Sequence, residues 1–561
     1  MMIQPKIKEL IQVKQLIKER KLKEAFQIVL EIEQKADLTS QELLTLKLFK
    51  ADLLRWLGDF LDAIELAKEI FQEFQKLGDL VSSLDALLIQ AYSHEIMVNI
   101  TQSEDLIRQA EKLFKIIKAT SSIDLREREF EFVRIKAGIC HCKGDIHTSL
   151  ELNKKSFELA KDTGNKGMIS VSLNNIADQY HHMKKYDKAI EYAKEALKFR
   201  KDFAGALGTL IEINVSKGDI KEAKVYLDRL REISEKFDSK WTSTFYYSSK
   251  ALILKSSLRA RDRIKAEDIF KELAMDNTLL GEPRITAIID LCDLYLTELR
   301  ITNDSEIINE IHPYIQELLS IAKKQHLYLY LAETHLLQAK LSLLTLDIKE
   351  AKRFLTKAQK IAESYGMKRL AMKISYEHDE LLRQTKMWEN LKISEVSLSE
   401  RLELTGLNEQ MENMVKRRMI EVPEISKEDP VMLLILTEGG NLLFSKKFVE
   451  DFSFEDDILG GFLTTINYII SEVFSEGLDR AIFGQYTLLM MPLQPFLVCY
   501  IFKGHSYFAY RKIKNFLDSI QNDSDIWQSL QNFFQKSKSI QANDIPSLES
   551  IITEIFPEKN I

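Results

Sequence analysis

Cysteine, proline and glycine are all scarce in this 561-residue chain, at 4, 9 and 19 residues. Four cysteines cannot build a disulfide framework and suit a reducing compartment, so the expected location is cytoplasmic. The opening MMIQPKIKEL has neither the basic stretch nor the apolar core of a secretion signal. No uncharged apolar run approaches the roughly 20 residues that a membrane-crossing helix needs. Residues 487–502 come nearest, and Pro492, Gln494 and Pro495 interrupt them. Basic excess is missing too: a formal charge of −7 gives no general attraction for nucleic acid. The phosphate-binding GxxxxGK[ST], the G-x-S-x-G elbow, the HExxH pair and the dinucleotide glycine fingerprint do not occur. No catalytic residue and no cofactor is therefore assigned, and an enzyme is disfavoured. What the chain does have is 45% hydrophobic residues, enough to exclude disorder over most of its length.

The scarce residues are unevenly placed. No proline lies between Pro5 and Pro283, whereas six of the nine lie at or after Pro423. A span so free of helix breakers predicts long helices. Beyond it, helical periodicity gives way to short apolar runs split by glycine pairs. These shifts predict a helical array over 1–390, a connecting helix and linker over 391–428, an α+β domain over 429–525 and a helical tail over 526–561.

The first part repeats itself. Turn residues align at Arg20, Gly58, Thr101, Gly144, Lys184, Gly218, Arg261, Asn303 and Leu346, at intervals of 34 to 43 residues. Five residues after each turn, six of nine positions are Ala (Ala25, Ala63, Ala189, Ala223, Ala266, Ala351), where two helices must approach closely. One residue after the turn, six of nine are Asp, which suits a helix start through capping and the helix dipole.

In the best unit, residues 170–203, Leu173, Ile176, Ala177, Tyr180, Tyr186, Ala189, Ala193 and Ala196 fall where a tetratricopeptide repeat wants them. Residues 5–385 resemble that family, with longer units and no terminal proline. The resemblance implies about nine helical hairpins stacked into a solenoid that binds a protein or peptide on the face lined by the first helix of each pair. In the best unit the inner-face candidates are Asn174, Asn175 and Asp178, with Asn175 expected to hydrogen-bond a bound peptide backbone. A solvated helix face is the competing reading of the same residues. Arg134, Gly138, Asn175, Gly205 and Thr209 lack the last cationic part of a chaperone-type carboxylate clamp, so that specialisation is not expected. Cys140, His141 and Cys142 diverge on a helix and do not predict a metal site. His181 and His182 show no Cys or carboxylate partner at ligand spacing, so no metal is assigned.

Past Pro430 the order reads strand, strand, helix, three strands, helix, helix. Val431–Leu436 and Leu442–Phe448 predict a hairpin turned at Gly439 and Gly440. Ser453 and Asp456 predict a helix start, with Ile458, Phe462, Ile466, Ile469 and Val473 on one face. Arg480–Phe483, Tyr486–Met491 and Phe496–Phe502 predict three more strands, giving one five-stranded antiparallel sheet with helices packed on it. This order resembles the longin/roadblock superfamily, and Glu438–Gly440, Gly460–Phe462 and Phe474–Gly484 are similar to a module that follows such helical arrays in archaeal proteins. That resemblance implies a non-enzymatic platform that dimerises and docks a small GTPase or a regulatory complex. Profilin-like and PAS-like sensor domains share the strand count, which keeps open a peptide- or ligand-sensing regulator as the alternative to an interaction scaffold. Between the two parts, Leu404, Leu407, Met411 and Met414 predict one helical apolar stripe that packs rather than dimerises.

Overall fold

The computed structural model describes residues 5–557 apart from 19–20, 35–37, 238–239, 277–278, 280–281, 395, 416–419, 421–423, 438–441, 450–479, 537–539 and 541–543. The helix expected behind Ser453 and the Gly439–Gly440 turn lie outside these residues. The chain divides into two compact units, residues 1–330 with 408–419, and residues 331–407 with 420–561.

The first unit is built of helical hairpins in which each helix packs on the next and first helices pack on the first helices of neighbouring hairpins. Its second helices are amphipathic by spacing. Phe60–Leu77 buries Phe60, Ala63, Ala67, Ile70 and Phe74, a 3-4-3-4 stripe facing its partner. First helices sit between a partner and two neighbours, so they bury residues nearly all round, as Leu80–Ile96 does from Ser83 to Ser93. That blurs their periodicity, which is why the unit around 95–125 is hard to register from sequence.

The close-approach positions behave as expected: Ala25, Ala63, Ala189, Ala223 and Ala266 are fully buried. The third turn needs correction. Thr101 lies inside the Ile100–Thr120 helix, and the left-handed residue is Val98, φ 60°. Counting five from Val98 brings Ser103 to the close-approach position instead of Leu106. Ser103 Oγ donates to Ala91 O at 2.8 Å, just as Ser149 Oγ, in the next hairpin, donates to Ala137 O at 2.9 Å. A hydroxyl serves where Ala serves elsewhere because it finds a backbone acceptor on the facing helix. Arg261 also lies within a helix, Ala260–Met275, and has no left-handed φ. The aspartates cap at Asp145, Asp219 and Asp304, which accept from Thr148, Glu222 and Glu306 backbone N–H. Asp59 occupies its cap position without a side-chain bond, and Asp262 sits in the first turn.

The second unit joins the last repeat helices, Ile348–Ser364 and Lys368–Arg383, to the sheet. Ala351 is fully buried and Asp347 caps Glu350 N–H, so the repeat register continues here. The sheet has strands β1 (Asp429–Thr437), β2 (Leu442–Lys447), β3 (Arg480–Phe483), β4 (Tyr486–Leu493) and β5 (Phe496–Lys503). Its order is β2-β1-β5-β4-β3, with every neighbouring pair antiparallel. Both faces are apolar: Leu433, Ile435, Val498, Tyr500 and Phe502 belong to one core, Leu434, Leu436, Met490 and Cys499 to another. Burial on both faces explains why β1 reads as a continuous apolar run instead of an alternation. Helices Ser506–Asn522, Ser524–Gln535 and Pro546–Ile555 follow, and Phe516, Ile526 and Ile552 fill the first core.

The expected single stripe from Leu404 to Met414 is broken. Gly406, φ 59°, ends one helix at Thr405 and the next begins at Leu407. Leu404 is left 51% exposed while Leu407, Met411 and Met414 are buried.

The Arg480 side chain, fully buried in this unit, holds the sheet to the last repeat helix. Its Nη1 donates to Ser506 Oγ at 2.5 Å and its Nη2 to Gln359 Oε1 at 2.5 Å. Ser506 Oγ in turn donates to Asp379 Oδ1 at 2.5 Å, and Ser506 N–H donates to Asp379 Oδ2 at 2.8 Å. The helix starting at Ser506 has no side-chain cap of its own from His505. Asp379, from a distant repeat helix, supplies it.

Candidate functional site

Five first-unit helices and the Asn165 cap line a pocket of about 260 Å³. Its polar wall comes from first helices of successive hairpins: Asp52 and Arg55, Asp85, then Arg128, Glu131 and Arg134. Helical spacing makes this local: residues three and four apart share a face, so each helix delivers its charges to the same side. Arg128 pairs with Asp85 through two hydrogen bonds of 2.6 and 2.7 Å, linking two hairpins. Arg134 donates to Glu131 at 2.7 Å and lies 4.3 Å from the Tyr92 ring centre.

Arg55 is the unusual member. Its Nε donates to Asp52 at 2.6 Å, and its guanidinium lies 4.7 Å from the Trp56 ring and 5.0 Å from Tyr92. Its Nη1 is buried, lies 3.6 Å from Glu131 and makes no hydrogen bond. Burial by itself would lower the Arg55 pKa, but Asp52 and Glu131 outweigh it and hold the guanidinium firmly charged. A charged donor on a pocket wall without an acceptor can take a carboxylate or a peptide carbonyl.

The expected residues lie on the Lys166–His182 helix, where Asn174, Asn175 and Asp178 are all half-buried. Asn174 Oδ1 is a buried acceptor with no hydrogen bond. Asp178 accepts from His182, Nε2 to Oδ2 3.1 Å, one helical turn on. Burial pushes the Asp178 carboxyl up, but His182, then His141 and His181, outweigh it and hold it below the usual carboxylate range. His141 comes from the preceding first helix, its ring 5.0 Å from that of His182. Sequence reading did not pair these groups: the Asp178–His182 spacing of four was there to be seen, whereas His141 arrives only through stacking. It also missed Arg55, whose Asp52 partner at a spacing of three looks like an ordinary surface pair. Cys140 and Cys142 are half-buried, and His147 is exposed. Among the described residues none of the three enters a group of converging metal-capable ligands.

A family model described as tetratricopeptide repeat matches residues 133–202, which include Asn174, Asn175 and Asp178. No curated protein matches the chain. Among solved structures, the chain is similar to a Rap protein complexed with competence and sporulation factor, at 16% identity and TM-score 0.43, covering 66% of this chain and 99% of that one. It is similar to the apo form of the quorum sensor NprR from B. thuringiensis, at 13% identity and TM-score 0.41, covering 63% and 97%. It is also similar to the apo form of RapI, at 17% identity and TM-score 0.38, covering 49% and 99%. At such values the question of what this chain binds rests on its own geometry.

Proposed function

We propose that this chain is a non-enzymatic interaction scaffold whose helical repeats hold an extended peptide segment of a partner protein along the face lined by first helices. The observation that carries the reading is Arg55 Nη1: a buried atom of a charged guanidinium that makes no hydrogen bond, on the wall of a pocket built from successive first helices. Asn174 Oδ1 adds a buried acceptor without a donor on the same helix layer. Between them they offer what a peptide backbone or terminal carboxylate needs. Asn174, Asn175 and Asp178 are assigned to peptide contact. The organisation proposed is a solenoid over 1–390, a connector over 391–428, a longin/roadblock-like domain over 429–525 and a tail over 526–561, in a cytoplasmic protein. That C-terminal domain is assigned a second partner, a small GTPase, and self-association, on the strength of its sequence resemblance.

Selection of peptides from a random library on the full-length chain tests the first part. Arg55→Gln and Asn174→Ala should each weaken the selected peptides by about tenfold or more, the worth of one hydrogen bond to a charged or buried group. Peptides that bind both variants as tightly as the parent would remove the reading. Nucleotide-dependent capture of a GTPase on the full-length chain, and its absence from a chain ending before residue 429, tests the second partner. One observation favours a sensing regulator as the second reading. Asp379 and Arg480 tie the last repeat helix into the sheet as one compact unit, so a ligand state of the sheet would reach that helix directly. A small molecule that slows hydrogen exchange in peptides from 480–522 of the full-length chain, with the added protection growing as the logarithm of its concentration above Kd, would select that version.

A further inference from the structure

We propose that His141, Asp178 and His182 form a binding site for one divalent transition-metal ion of the zinc type. This goes beyond peptide binding and does not depend on it. One ligand atom from each of the three residues lies within 4.8 Å of the other two. One pair, His182 Nε2 and Asp178 Oδ2, is 3.1 Å apart. Ligand atoms about 2.0–2.1 Å from a tetrahedral ion stand about 3.3 Å from one another, so modest side-chain rotations bring the trio into place. Helical spacing supplies half of the site, with Asp178 and His182 one turn apart on the Lys166–His182 helix. Repeat stacking supplies the other half, His141 on the Arg126–Cys142 helix.

The surroundings suit a metal as well. His141 Nδ1 meets the Gln179 side-chain amide at 3.3 Å, the kind of outer contact that orients a ligating imidazole. Two imidazoles and one carboxylate select zinc, cobalt, nickel or copper over magnesium and calcium, which take oxygen ligands. Three protein ligands leave a fourth position for water or for a donor carried by a bound partner. Bound there, the ion would bridge two successive hairpins. A neighbouring trio, Asp178, His181 and Glu212, shares the same carboxylate, but Glu212 is exposed and the first trio is the better enclosed.

Cobalt(II) titration of the chelator-treated, full-length chain tests the site. One equivalent should bind, with the visible bands of a four-coordinate nitrogen–oxygen site and no near-ultraviolet thiolate band. His141→Gln and Asp178→Asn should each weaken zinc, read by competition, by more than about tenfold, given that even outer-shell changes cost 10–100-fold. His147→Gln, which alters an exposed histidine outside the trio, should leave it unchanged. Absence of stoichiometric binding would overturn the assignment. So would affinity unmoved by both substitutions, or a thiolate band pointing to Cys140 or Cys142. The spectrum of the unaltered chain decides ligand type even where a variant folds poorly.

Discussion

Replacing Arg480 with methionine keeps most of the side-chain volume and deletes a fully buried guanidinium. Asp379 would keep its bonds from Ser506, through N–H at 2.8 Å and Oγ at 2.5 Å, but would lose its counter-charge. Gln359 Oε1 would lose the donor now 2.5 Å away. Breaking a buried pair by removing one partner costs about 3–5 kcal/mol, mostly because the other charge stays buried. Two retained donors, one of them the first amide of a helix, place the expectation near the lower end, about 3 kcal/mol. Asp379→Leu should cost a similar amount, since it strands Arg480 and uncaps the Ser506–Asn522 helix. The double substitution removes both charges and should cost less than the sum of the singles by about 1–3 kcal/mol. Two compact units make a single whole-chain melt a poor measure. Hydrogen exchange followed in peptides from 368–383 and 506–522, with peptides from 40–142 as internal reference, reads the unit directly. A loss below about 0.5 kcal/mol, the range of ordinary surface changes, or a strictly additive cycle would refute the account.

Ala189→Leu should destabilise the first unit by about 1–3 kcal/mol through overpacking, and Ala189→Ser by less, measured by exchange in residues 166–199. Gly144→Ala, at φ 78°, should cost about 1 kcal/mol, whereas Lys184→Gly, at φ 58° on an exposed side chain, should be neutral or gain up to about 1 kcal/mol. Hydrogen exchange in peptides from 126–199 of both variants gives the comparison. The Asp178 carboxyl is held below its ordinary pKa. Its contribution is therefore complete above its unfolded value of about 4 and disappears as pH falls through the lower folded value. Asp178→Asn should accordingly flatten the loss of stability of the first unit on acidification below about pH 4, followed by exchange or circular dichroism, and an unchanged acid limb would contradict the pairing with His182.

Local chemistry carried much of this protein in its sequence. Scarce proline, alanines at fixed offsets and an aspartate after six of the nine turns announce stacked helical hairpins, because each is a requirement of one hairpin on its own. The strands over 480–502 were equally legible, since Gly484 and Pro495 punctuate them, although Pro492, read as the end of a strand, lies inside β4 and pairs with Leu497. Legibility failed where an element is fully enclosed. The Leu80–Ile96 helix buries residues on all sides, so the turn at Val98 was placed three residues late, and Ser103 was overlooked as a substitute for alanine. The apolar stripe from Leu404 likewise concealed a break at Gly406, because spacing alone does not report a left-handed residue. Sequence by itself determined the repeat, the succession of strands along the chain and the scarcity of catalytic motifs, and the tertiary structure set the sheet order. Only the tertiary structure decided which side chains meet. Arg55 faces Glu131, His141 reaches Asp178, and Arg480 sits over Asp379, across 76, 37 and 101 residues respectively. Such pairs arise from the stacking of one hairpin or sheet on another, and no periodicity within a single element encodes the neighbour it will find.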